Sequence, residues 1–281
     1  MDRISGKKFV IQTRSLILAA GPWTDILEES WLASKKKKLR LTKGVHILVP
    51  SRGFSSKRAI AMLSPIDGRV TFAVPWENRL LIGTTDTDYT EQVDHVGVSE
   101  KDKRYLLDTF NAHFPQHTLK EQDIISTMAG LRCLIRQDQL NPSKVSREHW
   151  LEEPYPGVLI IAGGKLTTFR SMGEHALEKV IRSAGLPASV AKKGTHISGT
   201  IRNFMDKKLV SSDIRKLIRD YHVTNFEDLL GRRTLVQFLE PSHGFELLDA
   251  IAKELQEEFG YDESELVKLR ADYMESVQRY S

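Results

Sequence analysis

The apolar and polar positions of the chain alternate between two regimes. In "RSLILAAGPWTDILEES" the run Leu16, Ile17, Leu18 predicts a short strand buried on both faces. Gly21 and Pro22 break it, and Asp25 to Glu29 suit a helix, so the chain opens inside an α/β unit. A strand-rich stretch follows. "GVHILVP" reads as a strand ended by Pro50. "RVTFAVPWENRLLIGTTD" reads as a hairpin in which Val70, Phe72 and Val74 alternate with Thr71 and Ala73, and Pro75 to Asn78 supply the turn. Ser99 and Asp102 have the spacing of a capping box for a helix carrying Tyr105, Leu106, Phe110 and Phe114, with Pro115 at its end.

"DIISTMAGLRCLIR" predicts another strand, and Val158 to Ile161 a buried one. Thr167 or Thr168 can cap the next helix, whose apolar face is Phe169, Met172, Ala176 and Val180, and which Gly185 and Pro187 stop. From about Ile201 the chain turns helical and charged. Ser212, Thr224 and Asp262 are N-cap candidates, and Leu247, Leu248, Ile251 and Leu255 form an amphipathic stripe. The change of pattern puts a domain boundary between about 188 and 200.

The composition narrows the class. At 281 residues, 40% hydrophobic and 28% charged, the chain suits one large or two modest globular domains. No apolar run approaches the roughly 18 residues of a membrane span. No secretory signal pattern follows Met1, and Cys133 is the single cysteine, which fits a reducing compartment. A net charge of +4 and a pI of about 9.0 are compatible with an anionic substrate, membrane surface or nucleic acid. The Lys35 to Lys38 run reads as a solvated loop. There is no helix-turn-helix, zinc or RNA-binding pattern, so nucleic acid is not expected, and no metal-ligand spacing occurs.

The candidate chemistry centres on "LIIAGGKLTTFR". A strand, two glycines and a helix start make an anion site, because glycine admits close approach and the first helical N–H groups lack internal partners. Lys165 adds a charge. Arg132 and Arg147 can grip phosphate through two parallel hydrogen bonds. His46, on a strand, suits proton transfer. Taken alone, each arginine reads first as a surface or ion-pair residue and His46 as a hydrogen-bonded sheet histidine, while the Gly-Gly turn reads as readily as an ordinary βα turn.

The combination is more specific. "LILAAGPWTD", "RLTKGVHILVP", "FAVPWENRLLIGTTDTDY", "STMAGLRCLIR" and "IAGGKLTTFR", in that order, closely resemble the FAD-dependent (aerobic type) glycerol-3-phosphate dehydrogenases over residues 10 to 182. "EDLLGRRTLVQFL" resembles their C-terminal domain more loosely, with Arg232 and Arg233 in structural roles.

The resemblance implies an α/β plus α fold. Its first part is the C-terminal portion of a D-amino-acid-oxidase-like FAD-binding fold, a partial Rossmann-type sheet with an antiparallel substrate-domain sheet. An all-helical C-terminal domain follows. The oxidoreductase domain would be 1–195, with flavin segments at about 10–34 and 147–185 and the substrate sheet at about 39–135; the helical domain would be 196–281. The implied reaction is oxidation of glycerol 3-phosphate to dihydroxyacetone phosphate, with FAD as cofactor and quinone as the acceptor in most relatives. His46, Arg132 and Lys165 would be catalytic. Arg132, Arg147 and Lys165 would bind substrate. Gly21, Gly163, Gly164, Lys165, Leu166 and Thr167 would lie along the flavin. The implied setting is cytoplasmic, peripheral on the inner membrane face, with a homodimer as a candidate assembly.

Three departures stand out. Cys133 replaces the usual proline and "KGVH" the commoner "KGSH". No G-x-G occurs, so the pyrophosphate loop, its strand and the acidic ribose ligand are missing. The expectation is a fragment or truncated form with an incomplete sheet and exposed apolar surface. The alternative from another class is a non-catalytic remnant or assembly partner that needs a complementing N-terminal chain.

Overall fold

The computed structural model describes residues 6–32, 37–54, 56–136, 148–187 and 209–280. The chain divides into two compact units, each made of three chain segments: 1–43, 87–94 and 131–196 in the first, and 44–86, 95–130 and 197–281 in the second. The expected boundary at 195/196 falls outside the described residues.

In the first unit, β1 (Leu16–Leu18) leads through a single 3-10 turn at Gly21–Trp23 into α1 (Thr24–Leu32). β8 (His149–Tyr155) and β9 (Val158–Gly163) form a hairpin, and a 3-10 turn at Leu166–Thr168 opens α3 (Phe169–Ser183). The sheet order is β1-β9-β8, with β1 parallel and β8 antiparallel to β9. Leu159 and Ile161 on β9 pack with Ala176 and Val180 of α3, the apolar face legible in the sequence.

Several expectations fail here for local reasons. β1 is an edge strand, so Leu16 and Ile17 are each 41% exposed rather than covered on both faces. Neither threonine caps α3 with its side chain, because the Thr168 hydroxyl is engaged with the Lys165 backbone inside the 3-10 turn. Lys38 is not solvated. Its ammonium donates to Glu28 Oε1 at 2.6 Å and to Glu152, and lies 4.6 Å from the Trp150 ring centre. Partial burial pulls its pKa down, but the hydrogen bonds to Glu152 and Glu28 outweigh that and leave it above the ordinary lysine value. Lys37 is exposed, as expected, and Lys35 and Lys36 lie outside the described residues.

The antiparallel sheet is built from β2 (Leu39–Pro50), β3 (Ile60–Leu63), β4 (Val70–Trp76), β5 (Arg79–Gly83) and β6 (Thr87–Asp88), in the order β3-β4-β5-β2-β6, with β7 (Ser126–Ile135) also pairing with β2. β2 and β7 each contribute residues to both units. In the second unit, α2 (Glu100–His113) begins at the expected capping box: Ser99 Oγ accepts from Asp102 N while Asp102 accepts from Ser99 N. Leu106, Leu107 and Phe110 of α2 join Val45, Ile47, Val49, Met62, Ala73 and Ile82 in one core.

That packing selects which face of β4 is covered. Ala73 faces the core and Thr71 is also buried, while Val70 and Phe72 are 49% and 44% exposed. Alternation fixes the period of a strand and leaves open which set a helix covers. The hairpin turn is also tighter than expected. Pro75 and Trp76 belong to β4, and Glu77 takes the left-handed conformation (φ 53°) in a turn of Glu77 and Asn78.

The helical part of this unit comprises α4 (Ser211–Asp220), α5 (Val236–Leu239), α6 (Leu248–Phe259) and α7 (Glu263–Tyr280), with a π-helical turn at Asp228–Arg233. Ile214, Leu217, Phe226, Ile251, Leu255 and Tyr273 are the centre of its core. Asp262 accepts from Glu265 N and its own N–H donates to the Glu265 carboxylate, a reciprocal cap at the start of α7. Asn225, rather than Thr224, accepts from Asp228 N. Ser212 lies inside α4, whose cap position is Val210. Arg232 pairs with Glu227 and Asp228, and Arg233 Nε donates to Tyr221 O, both structural contacts. Arg79 Nε donates to Leu239 O at 2.9 Å, and Ser126 Oγ to Phe238 O at 2.8 Å, which joins the helices of this unit to its sheet.

Candidate functional site

The end of β9 is built on two consecutive left-handed glycines, Gly163 (φ 74°) and Gly164 (φ 80°). A larger residue would force its neighbours to shift at either position. A Cβ on Gly163 would lie 2.7 Å from Glu148 O, and one on Gly164 would lie 2.3 Å from Met172 Sδ. The turn delivers the chain to Lys165 and the start of α3. The positive end of a 15-residue helix and the lysine charge therefore sit side by side.

A cavity of about 770 Å³ opens against this turn. Ile17 and Ala19 line it beside β1, Leu131 to Leu134 come from β7, Ile161 from β9, and Phe169, Met172, Gly173 and Ala176 from α3. Arg132, Gly163, Gly164, Lys165 and Leu166 border it as well. Most of the wall is apolar, with cations at two points. Such a cavity suits a flat apolar ring that carries negative charge. Leu166 is 89% exposed and Phe169 63%, and together with Leu16 and Ile17 they leave apolar surface open in this unit.

Cys133 borders the same cavity and lies next to Gly21; a Cβ there would stand 3.9 Å from its sulfur. Burial, with the Asp25 carboxylate adding to it, raises the Cys133 thiol pKa to about 11. The residue is a packed thiol rather than a ready nucleophile.

The sequence candidates thus separate. Arg132, Gly163, Gly164, Lys165 and Leu166 meet at one cavity. Gly21 and Thr167 are not among its lining residues, although Gly21 packs against one of them. Arg147 lies outside the described residues. His46 belongs to the second unit, on β2 in register with Gly83 of β5, which in turn pairs with Phe72 of β4. A Cβ on Gly83 would lie 2.1 Å from His46 Cδ2, so glycine there makes room for the imidazole on that face of the sheet. Among the described residues no group of three or more acidic, histidine or cysteine side chains could hold a metal, and no helix is long and apolar enough to cross a membrane.

Sequence reasoning missed β8 and, with it, His149. The strand carries paired acids and Pro154, which obscure its alternation; it tolerates them as an edge strand with a register shift between Glu152 and Tyr155.

Known proteins place this architecture. The aerobic glycerol-3-phosphate dehydrogenase of Staphylococcus aureus (strain USA300) is 30% identical over 293 residues, covering 98% of this chain and 53% of the relative, and that of strain NCTC 8325 matches equally. The chain therefore spans about half the length of the curated relatives it matches. The solved structure of the glycerol-3-phosphate dehydrogenase from Bacillus halodurans complexed with FAD superposes with a TM-score of 0.77 at 26% identity, covering 99% of this chain and 64% of that one. Residues 2–174 match the family described as FAD dependent oxidoreductase. With that match spanning more than half its length, and with a mixed sheet, an antiparallel sheet and a helical C-terminal region in the expected order, the chain belongs to the FAD-dependent oxidoreductase family.

Proposed function

We propose that this chain supplies the substrate side and part of the flavin side of an FAD-dependent glycerol-3-phosphate dehydrogenase, forming dihydroxyacetone phosphate. The observation that carries the reading is the cavity where Arg132 and Lys165 meet the Gly163–Gly164 turn. Its residues fit the cofactor. Two glycines admit close approach, Ile17, Ile161 and Met172 offer an apolar wall, and the start of α3 favours electron-rich groups. Bound FAD would supply the two-electron acceptor for the hydride that leaves C2 of the substrate.

The chain's own residues do the rest. Arg132 and Lys165, with Arg147, neutralise the substrate phosphate, which is close to a dianion at neutral pH. The Arg132 guanidinium fixes its orientation through paired hydrogen bonds. His46 takes the proton of the C2 hydroxyl as the hydride departs, work suited to an imidazole at neutral pH. Gly21, Leu166 and Thr167 lie along the flavin in this reading. Residues 1–195 serve as the oxidoreductase domain and 196–281 as the helical domain. Electrons pass on to quinone, from a protein that is cytoplasmic and peripheral on the inner face of the membrane, as a homodimer.

A second reading, an assembly partner completed by another chain, is favoured by the open β1 edge with its half-exposed Leu16 and Ile17. Complementation separates the two: glycerol 3-phosphate-dependent dye reduction that appears when an N-terminal FAD-binding portion is supplied, and that is lost in Arg132→Ala, supports the first reading, whereas a stable pair without that activity supports the second.

The test of the site is Arg132→Ala in the protein completed with an N-terminal FAD-binding portion and loaded with FAD, followed by glycerol-3-phosphate-dependent dye reduction. Loss of one partner from a desolvated charged contact costs about 2–5 kcal/mol, or roughly tens to thousands of fold in kcat/KM, with FAD content retained. A variant with near wild-type kcat/KM overturns the phosphate assignment.

A further inference from the structure

The Gly163–Gly164 turn has little stiffness of its own, since glycine restrains the backbone least of all residues. It must be held from outside, and two elements hold it. Just before β8, Glu148 O accepts the Gly164 N–H at 3.3 Å, and on β8 His149 stands in register with Gly163. From α3, Met172 closes on Gly164, whose missing Cβ would lie 2.3 Å from Met172 Sδ and 3.4 Å from His149 Cβ. One helical turn beyond Met172 is His175, and its Nδ1 lies 2.9 Å from His149 Nε2.

The two imidazoles meet nose to nose. Their centroids are 5.1 Å apart and their planes inclined by 37°. With nitrogens 2.9 Å apart, each points along the line to the other. That is the geometry of an imidazole–imidazole hydrogen bond, one ring donating and one accepting, and not of two ligands converging on a third atom. The bond ties together the two elements that hold the turn.

We infer that His149 and His175 are a positioning pair: their hydrogen bond locks β8 to α3 and thereby fixes the Gly163–Gly164–Lys165 turn at the wall of the cavity. Neither side chain is among those lining that cavity, so both act through the turn. The link from turn to flavin rests on the proposed function; the link from histidines to turn does not.

The atoms engaged make the test selective. A glutamine amide reaches about where Nε2 sits, and an asparagine amide about where Nδ1 sits. His149→Gln and His175→Asn therefore rebuild the contact, whereas His149→Asn and His175→Gln do not. The readout is hydrogen exchange of the Gly164 amide in the flavin-free chain, with the Ile181 amide in α3 as internal reference. The mismatched variants raise Gly164 exchange by about three- to tenfold, the worth of one hydrogen bond, while the matched variants stay within about twofold of wild type. Ile181 exchange is unchanged throughout. Equal exchange in all four variants overturns the proposal. So does parallel loosening of Ile181, which marks a general loss of stability, and so does loss of Gly164 protection in the matched variants, which keeps the test decisive if a mismatched one fails to fold. No flavin or substrate enters the measurement, so its failure is distinct from failure of the Arg132→Ala assay.

Discussion

Gly163→Ala tests the construction of the turn. The new methyl must be carried at a φ of 74°, in the left-handed region. Its Cβ would stand 2.7 Å from Glu148 O and 3.2 Å from two side-chain atoms of Ile135. The oxygen belongs to the main chain and already accepts the Gly164 N–H, so retreat breaks that bond. Left-handed strain of about 1–2 kcal/mol and a lost hydrogen bond of about 0.5–1.5 kcal/mol add to roughly 1.5–3.5 kcal/mol of destabilisation.

Two neighbouring glycines calibrate the figure. Gly164→Ala meets the end of the Met172 side chain, which can rotate away, so mainly the strain at φ 80° remains. Gly173 is in the interior of α3 with nothing within 4 Å of an added methyl, so Gly173→Ala gains about 0.8–1 kcal/mol of helix propensity. Urea unfolding followed by tryptophan fluorescence reads all three, since Trp23, Trp31 and Trp150 lie in this unit. The expected order of midpoints is Gly173→Ala above wild type, then Gly164→Ala, then Gly163→Ala, the last about 1 M below wild type at ordinary slopes. A Gly163→Ala midpoint equal to that of wild type refutes the argument that Glu148 stands rigidly against the turn.

Two further outcomes follow from charge and burial. With its pKa raised to about 11, Cys133 should react with a thiol reagent at pH 8 about 100-fold more slowly than an ordinary cysteine with a pKa near 9, a clean measurement because no other cysteine is present. Lys38→Met leaves Glu28, 2% exposed, without its cation and should cost about 3–5 kcal/mol in urea unfolding. The folded pKa of Lys38 lies above its unfolded value, so the contribution is whole below about pH 10 and fades as pH rises through the folded value. A wild-type advantage that persists undiminished as pH rises through the folded value would contradict that sign.

What the sequence disclosed is what local chemistry decides. The Ser99–Asp102 box, the Asp262 cap, the α3 stripe and the strand before Gly163 each rest on residues within a few positions of one another, and each appears in the structure. The meeting of Arg132 with Lys165 was legible only through the order of motifs, since no spacing rule joins a β7 residue to a βα turn. The sequence left open, or misled on, what tertiary neighbours choose. The covered face of β4 depended on where α2 packs, the exposure of β1 on its place at the sheet edge, and the burial of Lys38 on acids from α1 and β8. His149 and His175 are 26 residues apart on a strand and a helix, and no local pattern announces their contact.

The pairing of β1 with β9 sets a schedule for biosynthesis. Leu16 aligns with Val158, about 140 residues downstream, and the pairing is parallel. At roughly 5–20 residues per second, a ribosome needs about 7–30 s to make the partner after β1 has emerged. Throughout that interval the strand lacks β9, its partner among the described residues, and the loop to be closed is long. The antiparallel hairpin of β4 and β5, whose strands are two residues apart, is complete almost as soon as it is made. The β4–β5 hairpin is therefore complete early, whereas the pairing of Leu16–Leu18 with β9 waits for the last part of this unit to be made, and a strand left waiting is prone to wrong pairing in the meantime.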